Sequence, residues 1–181
     1  MKYLIISDIH GSFKYLELAI KAFNDFTCEK IICLGDVLYH GPRNDLPEEY
    51  SPKRCIELLN NYKDIITCVK GNCDAEVDQM VLNFEIKEPH FVKLNGYLVY
   101  LTHGHHLDLV PEAADIVFHG HDHISAIEYI DNVLMVDPGS ISIPKGDKVN
   151  SFGIMDNDTI TIYDFNYKIK HQINLKETST R

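Results

Sequence analysis

Five short polar clusters carry the residues able to do chemistry: Asp8-Ile9-His10, Gly35-Asp36, Gly71-Asn72-Cys73-Asp74, His103-Gly104-His105 and His119-Gly120-His121-Asp122-His123. They offer carboxylate oxygens, an amide oxygen and imidazole nitrogens. That mixture suits Mn, Fe, Zn, Co or Ni, whereas an all-oxygen set would favour Mg or Ca. Taken singly, each motif has a plain structural reading. Asp8 fits an N-capping turn, Gly35-Asp36 is ordinary loop material, and Gly71-Asn72 suits a turn at positive φ. His121-x-His123 says more, because alternate residues of an extended segment point the same way. Jointly, seven ligand-type residues (Asp8, His10, Asp36, Asn72, His103, His121, His123) recur just after strand-like stretches. Two neighbouring divalent cations repel, so a shared carboxylate is expected. Asp36, beside a glycine that permits close backbone approach, is the candidate for that bridge. A water shared by such a pair loses a proton and can attack phosphorus, while the cations neutralise the non-bridging oxygens.

These clusters can meet only if the elements before them bring them to one edge. Residues 2–7 read as a buried strand, 13–26 as a helix with Leu16, Ala19, Ile20 and Phe23 on one face, and 30–34 as a second strand. Residues 40–50 form a loop. Ser51-Pro52 then opens a helix, with Ser51 as cap, Pro52 in the first position, and Cys55, Ile56 and Leu59 as its apolar face. Residues 65–69 give a third strand and 74–83 a helix. From Tyr97 onward strands follow quickly: 97–102, 116–119, 126–130, 133–136, 152–155, 159–164 and 168–174. Asp131-Asn132 and Asn157-Asp158 suit hairpin turns. An αβ-alternating half followed by a strand-rich half predicts two packed sheets with helices outside, the second sheet rich in antiparallel neighbours. Ligands of open α/β sheets bind beyond the carboxyl ends of strands, so parallel strands would gather the five clusters.

The 181 residues fit a single domain, 1–181, and a hydrophobic content of 45% with 24% charged residues marks a globular chain. A net charge of −10 argues against extended nucleic-acid binding, because no basic field gathers phosphates. It leaves room for a small anion held by cations. No apolar run approaches the roughly 18 residues of a membrane span. The apolar start Tyr3-Leu4-Ile5-Ile6 is too short for a signal peptide, so a cytoplasmic location is expected. The five cysteines include no Cys-x-x-Cys pair, which suggests neither a disulfide framework nor a thiolate zinc site. Cys33 and Cys68, inside apolar runs, read as small buried hydrophobes.

The set Asp8-x-His10, Gly35-Asp36, Gly71-Asn72, His103 and Gly120-His121-x-His123, in this order, resembles the calcineurin-like metallophosphoesterase family. The stretches 35–44 and 71–79, with Asp137-Pro138-Gly139-Ser140 and Ser142-Ile143-Pro144-Lys145, are similar to small bacterial phosphodiesterases of that family and extend the likeness over most of the chain. The resemblance implies an α/β fold, a four-layer αββα sandwich of two mixed β-sheets flanked by helices. It implies one metal held by Asp8, His10, Asp36 and His123, and a second by Asp36, Asn72, His103 and His121. Manganese is the implied ion, with Zn²⁺, Fe²⁺, Co²⁺ or Ni²⁺ as alternatives. The implied activity is that of a phosphoric diester hydrolase on a small phosphodiester, without a covalent intermediate. A phosphomonoesterase or protein phosphatase of the same fold, and a non-catalytic scaffolding module, are the competing readings. Relatives of this size often self-associate, which makes a homo-oligomer an open expectation.

One position departs from the wider family. Many members carry a histidine after Gly-Asn, a candidate proton donor to the leaving group, where this chain has Cys73. A thiol near pKa about 8.5 is a poorer acid at neutral pH than an imidazolium. The similar bacterial phosphodiesterases share the cysteine, so the change shifts substrate class without removing activity. Asn72, Cys73, Asp74 and His105 join Asp36 as candidate catalytic residues. His105 could touch substrate or hydrogen-bond to a metal ligand. Cys73 reads as a packed thiol beside the site rather than a nucleophile, and Asp74 as either an orienting group or a helix cap. Arg43 could clamp a phosphate or form a surface salt bridge. His119 reads as structural, while Tyr39 and Tyr50 fit core or rim.

Overall fold

The computed structural model describes residues 1–178. Strands β1 (Lys2–Ile6), β2 (Lys30–Cys33) and β3 (Ile66–Val69) lie side by side in parallel. Helices α1 (Phe13–Asp25) and α2 (Pro52–Asn60) connect them. A single turn, α3 (Glu76–Gln79), leads to β4 (Ile86–Lys87), which adds in parallel to β3. The chain then builds a second sheet from β5 (His90–Leu94), β6 (Tyr97–Leu101), β7 (Ile116–Phe118), β8 (Ala126–Ile130) and β9 (Val133–Asp137), in the order β5-β6-β7-β9-β8. Strands β10 (Ser151–Asp156), β11 (Thr159–Asp164) and β12 (Ile169–Asn174) return to the first sheet. Among the described residues that sheet has seven strands, ordered β12-β11-β10-β1-β2-β3-β4. A last turn, α4 (Leu175–Thr178), follows β12.

The period of two in each strand splits its apolar residues between two cores. Leu4, Ile6, Ile31, Cys33 and Cys68 face the helices, meeting Leu16, Ala19, Ile20 and Phe23 of α1 and Cys55 and Leu59 of α2. Tyr3, Ile5, Ile32, Leu34 and Val69 face the second sheet, meeting Leu94, Val99, Leu101, Ile116, Phe118, Leu134 and Val136. Burial on both faces is why β1, β2 and β3 read as near-continuous apolar runs. On the outer face of the second sheet, Val117 and Met135 are covered by Ala114, Leu107 and Val110. The α/β sandwich of two mixed sheets is therefore the implied fold, with a thin fourth layer in which, among the described residues, the 3-10 turn Leu107–Leu109 is the regular element. No helix among the described residues is long and apolar enough to cross a membrane.

Several local expectations change. The sheets do not divide at the chain's midpoint: Met155, Ile160 and Ile162 point into the core between the sheets, while Phe152 and Ile154 pack on the helix side, so β10–β12 extend the first sheet. The second sheet is evenly mixed, with β5–β6 and β8–β9 antiparallel and β6–β7 and β7–β9 parallel. The helix expected over 74–83 shrinks to α3, because Leu82 and Phe84 turn into the core and the Gln79 amide bonds to the carbonyls of Leu82 and Phe84. The β5–β6 hairpin was not expected, yet its turn carries Asn95-Gly96 at φ 49° and 100°, the strongest local hairpin signal in the chain. Ser51 stands before α2 with Pro52 opening the helix, but its side chain makes no capping bond.

Phe118 is fully buried between the sheets, so Phe118→Ala should cost about 3–5 kcal/mol of stability in urea unfolding. Ser51→Ala, which removes no cap bond, should stay within about 0.5 kcal/mol of the parent in the same assay.

Candidate metal centre

The five polar clusters follow β1, β2, β3, β6 and β7, all members of parallel pairs, and they converge where the two sheets meet. The turns that deliver them are unusually contorted. Asp8, His10, Asp36, His121 and His123 all have left-handed backbone, with φ of 55°, 48°, 56°, 76° and 60°. Non-glycine residues avoid this region unless their surroundings hold them there. Here the amides of Asp8 and His10 donate to the carbonyls of Gly35 (3.2 Å) and Asp36 (2.9 Å), and Gly120 donates to His103 (2.8 Å). Two glycines admit the close approach. A Cβ on Gly71 would lie 2.1 Å from Asp36 Oδ1, and one on Gly120 would lie 1.9 Å from Ser7 Oγ.

Backbone carbonyls fix the histidine rings. Nδ1–H of His10 donates to Tyr39 O (2.7 Å), that of His103 to Leu34 O (2.7 Å), and that of His123 to Ile143 O (2.6 Å). A carbonyl only accepts, so in each neutral ring Nδ1 carries the proton and Nε2 presents a lone pair. Those lone pairs crowd one another and two carboxylates. His10 Nε2 and His123 Nε2 are 3.3 Å apart, and His103 Nε2 lies 3.1 Å from Asn72 Oδ1 and 3.3 Å from His121 Nδ1. Asp8 Oδ1 sits 3.2, 3.6 and 4.0 Å from the Nε2 atoms of His123, His10 and His103. Asp36 Oδ2 lies 3.7 Å from His10 Nε2 and 3.4 Å from His103 Nε2, between the two groups of imidazoles. Asp8 Oδ1 is buried and finds no hydrogen-bond donor. Acceptors facing acceptors around an orphaned carboxylate oxygen require positive charge between them, and the donor set fits transition-metal cations. The groups Asp8, His10, His123 and Asp8, Asp36, His103 each bring their ligand-type atoms within 4.8 Å of one another.

Without a metal, protons must supply that charge. Burial opposes protonation of His103, but hydrogen bonding to Asp36 and the charges of Asp8 and Asp36 outweigh it and push the ring up to about 9. His10 is also raised, burial being overcome by Asp8, the Tyr39 carbonyl and Asp36. Reciprocally, burial would raise Asp8, yet His10, His123 and His103 hold it well below the usual carboxylate range. Asp36 is lowered against burial in the same way, chiefly by His103. His121 is lowered by burial and by its neighbour His103.

The candidate catalytic residues take distinct places. Asp74 resolves towards orientation: its Oδ2 accepts from the amides of Asp36 (2.8 Å) and Gly71 (2.7 Å), and Oδ1 from Val37 (2.8 Å), while α3 begins behind Ala75 instead. The Cys73 amide donates to Asp36 Oδ1 (2.8 Å). Burial, then Asp36, Asp74 and Asp8, push the Cys73 thiol up to about 12, so it stays neutral. His105 packs 5.6 Å from the His103 ring and 4.4 Å from His106, centroid to centroid. Its Nδ1 is buried without a hydrogen-bond partner among the described residues. His119 lies behind the cluster, with Nδ1 3.7 Å from Asp137 Oδ2. Tyr39 and Arg43 line an open cleft of about 840 Å³ that contains His10, Asp36, Asn72, His121 and His123. Tyr50 instead packs its ring where a Gly11 side chain would be, 2.7 Å from that Cβ position.

Three supporting residues escaped the sequence reading. Ser7 Oγ donates to Asp8 Oδ2 (2.7 Å), and the hydroxyls of Ser140 (2.8 Å) and Ser142 (3.0 Å) both donate to Asp8 O. Their only signal was position: Ser7 adjoins Asp8, and the other two lie in the motif segments 137–145.

Known proteins share this arrangement. Residues 1–159 match the Calcineurin-like phosphoesterase superfamily domain, and the chain belongs to that superfamily. Over 173 residues it is 40% identical to phosphodiesterase YfcE of Escherichia coli strain K12, spanning 92% of this chain and 93% of that protein. The solved structure of YfcE, a phosphoesterase from E. coli, superposes with a TM-score of 0.92 at 38% identity, covering 97% of this chain and 100% of that one. Phosphodiesterase MJ0936 of Methanocaldococcus jannaschii is 28% identical over 151 residues, 77% of this chain and 83% of that protein.

Gly71→Ala should displace the Asp36 carboxylate and lower metal affinity at least about ten-fold, with unchanged far-UV circular dichroism; elemental analysis of dialysed protein reads the loss. Metal uptake must also expel the proton that His103 holds up to about 9. Apparent affinity should therefore rise with pH until that value, and calorimetry in two buffers of different ionisation enthalpy should show net proton release.

Proposed function

We propose that the protein is a metal-dependent phosphodiesterase that hydrolyses small phosphodiesters at a two-metal centre. The observation that carries the reading is the position of Asp36 Oδ2, 3.7 Å from His10 Nε2 and 3.4 Å from His103 Nε2, between two convergent groups of neutral-ring lone pairs. Asp8, His10 and His123 would hold one ion and Asn72, His103 and His121 the other, with Asp36 shared. Bound there, two divalent transition-metal ions, manganese first among them, would acidify a shared water for in-line attack and neutralise charge on the phosphoryl oxygens.

The chain's own contribution is placement and charge. Asp74 holds the Asp36 backbone amide, and the Cys73 amide donates to the Asp36 carboxylate, which orients it towards the centre. Ser7 and the His121 amide (3.1 Å) together bind Asp8 Oδ2, leaving Oδ1 to face the imidazoles. Without a metal, burial and the neighbouring carboxylates hold the Cys73 proton up to about 12, so the thiol is then a neutral group and a weak acid for a departing alkoxide. The E. coli relative is a phosphodiesterase, which supports a diester substrate. A scaffolding role is disfavoured because all seven ligand-type side chains are present and converge. The five cysteines form no disulfide, which fits a reducing, cytoplasmic setting.

With Mn²⁺ the purified protein should cleave bis(p-nitrophenyl) phosphate. Asp36→Asn should reduce turnover more than about 100-fold, since even outer partners of metal ligands cost 10–100-fold. Undiminished turnover in a folded Asp36→Asn protein would remove the assigned role.

A further inference from the structure

Two basic side chains, Arg43 and Lys145, stand on the wall of the cleft that holds the centre. At least eight of the chain's lysines and arginines are paired with acids. Arg43 and Lys145 line the cleft, and among the described residues neither side chain has an ion-pair or hydrogen-bond partner. In a chain of net charge −10, acids are abundant, so cations left unpaired at the mouth of a functional cleft call for a ligand-side partner. Asp74 is committed to backbone amides, and Asp122, the exposed acid on the wall, forms no ion pair with either cation.

Both cations stand on backbone tied to the centre. Lys145 donates its amide to His123 O (2.9 Å), while Ile143 O receives the His123 ring proton (2.6 Å), so this segment grips His123 at two points. Tyr39 O receives the His10 ring proton (2.7 Å), and the turn that follows is closed by Asn44 Nδ2–H donating to His40 O (2.8 Å), which presents Arg43. The Tyr39 ring is 43% exposed, braced edge-on by His40 at 4.8 Å, and lines the same cleft. An aromatic ring and two basic side chains thus line the same cavity of about 840 Å³ as the centre.

We propose that Tyr39, Arg43 and Lys145 select a phosphodiester that carries a second phosphate and a flat aromatic arm, the chemistry of a phosphorylated dinucleotide. The inference rests on the phosphodiesterase reading and deepens it. The cations receive the second phosphate, Arg43 through its forked guanidinium, and the ring of Tyr39 stacks with a base.

The test compares diadenylate bearing a 5′-phosphate with diadenylate lacking it, using the Mn²⁺-loaded enzyme. The phosphorylated substrate should have a kcat/KM about ten-fold higher, through a lower KM, as a charge-assisted contact would give. Arg43→Gln and Lys145→Gln should each bring that ratio towards one. Tyr39→Ala should weaken both substrates, and Tyr39→Phe should restore them. Calorimetry in the Asp36→Asn background reads binding without turnover, and adding Arg43→Gln there should weaken the phosphorylated ligand about ten-fold. A wild-type ratio near one, or a ratio unmoved by both charge variants, overturns the proposal. If bis(p-nitrophenyl) phosphate is cleaved but the ratio is near one, the rim assignment fails alone. If no diester is cleaved with any metal, the phosphodiesterase reading fails, and unchanged calorimetric affinity in Arg43→Gln would sink the rim assignment separately.

Discussion

The structure depends on one electrostatic demand: imidazole nitrogens and carboxylates are forced together, and positive charge, from protons or cations, must lie between them. Three imidazoles donate Nδ1–H to the carbonyls of Leu34, Tyr39 and Ile143, so their Nε2 atoms face inward. Asp8 Oδ1 and Asp36 Oδ2 occupy the same space. The surrounding backbone bears a further cost, since five residues there sit at positive φ. At roughly 1 kcal/mol each, the low end for short polar and His residues, this strain sums to about 5 kcal/mol. That is comparable with the whole net stability of an ordinary domain, about 5–15 kcal/mol. A centre so unfavourable without positive charge persists only because the rest of the fold over-determines it. A cation bound there would offset part of that cost by turning the repulsive contacts into shared attractions.

The over-determination comes from the junction of two sheets. The first sheet delivers Asp8, Asp36 and Asn72, and the second delivers His103, His121 and His123. Neither half is complete alone, and contacts across the junction are specific. The His121 amide binds Asp8 Oδ2, and the segment that returns from β9 caps the Asp8 carbonyl with Ser140 and Ser142. Core and centre are continuous. Leu34 is fully buried between the sheets, while its carbonyl orients His103. Phe118 is equally buried and precedes the His119–His123 turn by one residue. Packing errors of a fraction of an ångström at these positions would be transmitted directly to the imidazoles, because close-packed interiors transmit strain.

Much of this was legible in the sequence, for a physical reason. A buried parallel strand is an apolar run, and a polar cluster that ends such a run lies at the sheet edge, so motif and position reinforced each other at Asp8, Asp36, Asn72, His103 and His121. What stayed hidden has equally physical causes. Period-two alternation says which residues share a face but not which sheet a strand joins, so the return of β10–β12 to the first sheet could not be read. The carbonyls that set the three ring tautomers belong to the backbone and have no residue signature. Asp74 stayed open between an orienting group and a helix cap because a cap and a loop brace use the same carboxylate chemistry; only the fold shows it holding the amides of Asp36, Val37 and Gly71. The Asn95-Gly96 hairpin, by contrast, was present in the letters and overlooked.

Cys73 shows how the centre's electrostatics reach past its ligands. The residue after Asn72 stands with its thiol within 4.8 Å of ligand-type atoms of His10 and Asp36. An imidazole in that place would be drawn towards its charged, proton-donating form by Asp36, Asp74 and Asp8. A thiol responds in the opposite sense, because its charged form is an anion: burial first, and then the same carboxylates, hold it protonated up to about 12 in the metal-free centre. One field therefore makes a histidine a stronger supplier of positive charge and a cysteine an inert neutral group. In the proposed reaction the leaving group must then depart without help from this position. Rate would depend on the charge of the centre and on how firmly the substrate is held in line for attack. That places unusual weight on binding contacts remote from phosphorus, since they alone can fix the angle of an ester whose departing oxygen receives no proton.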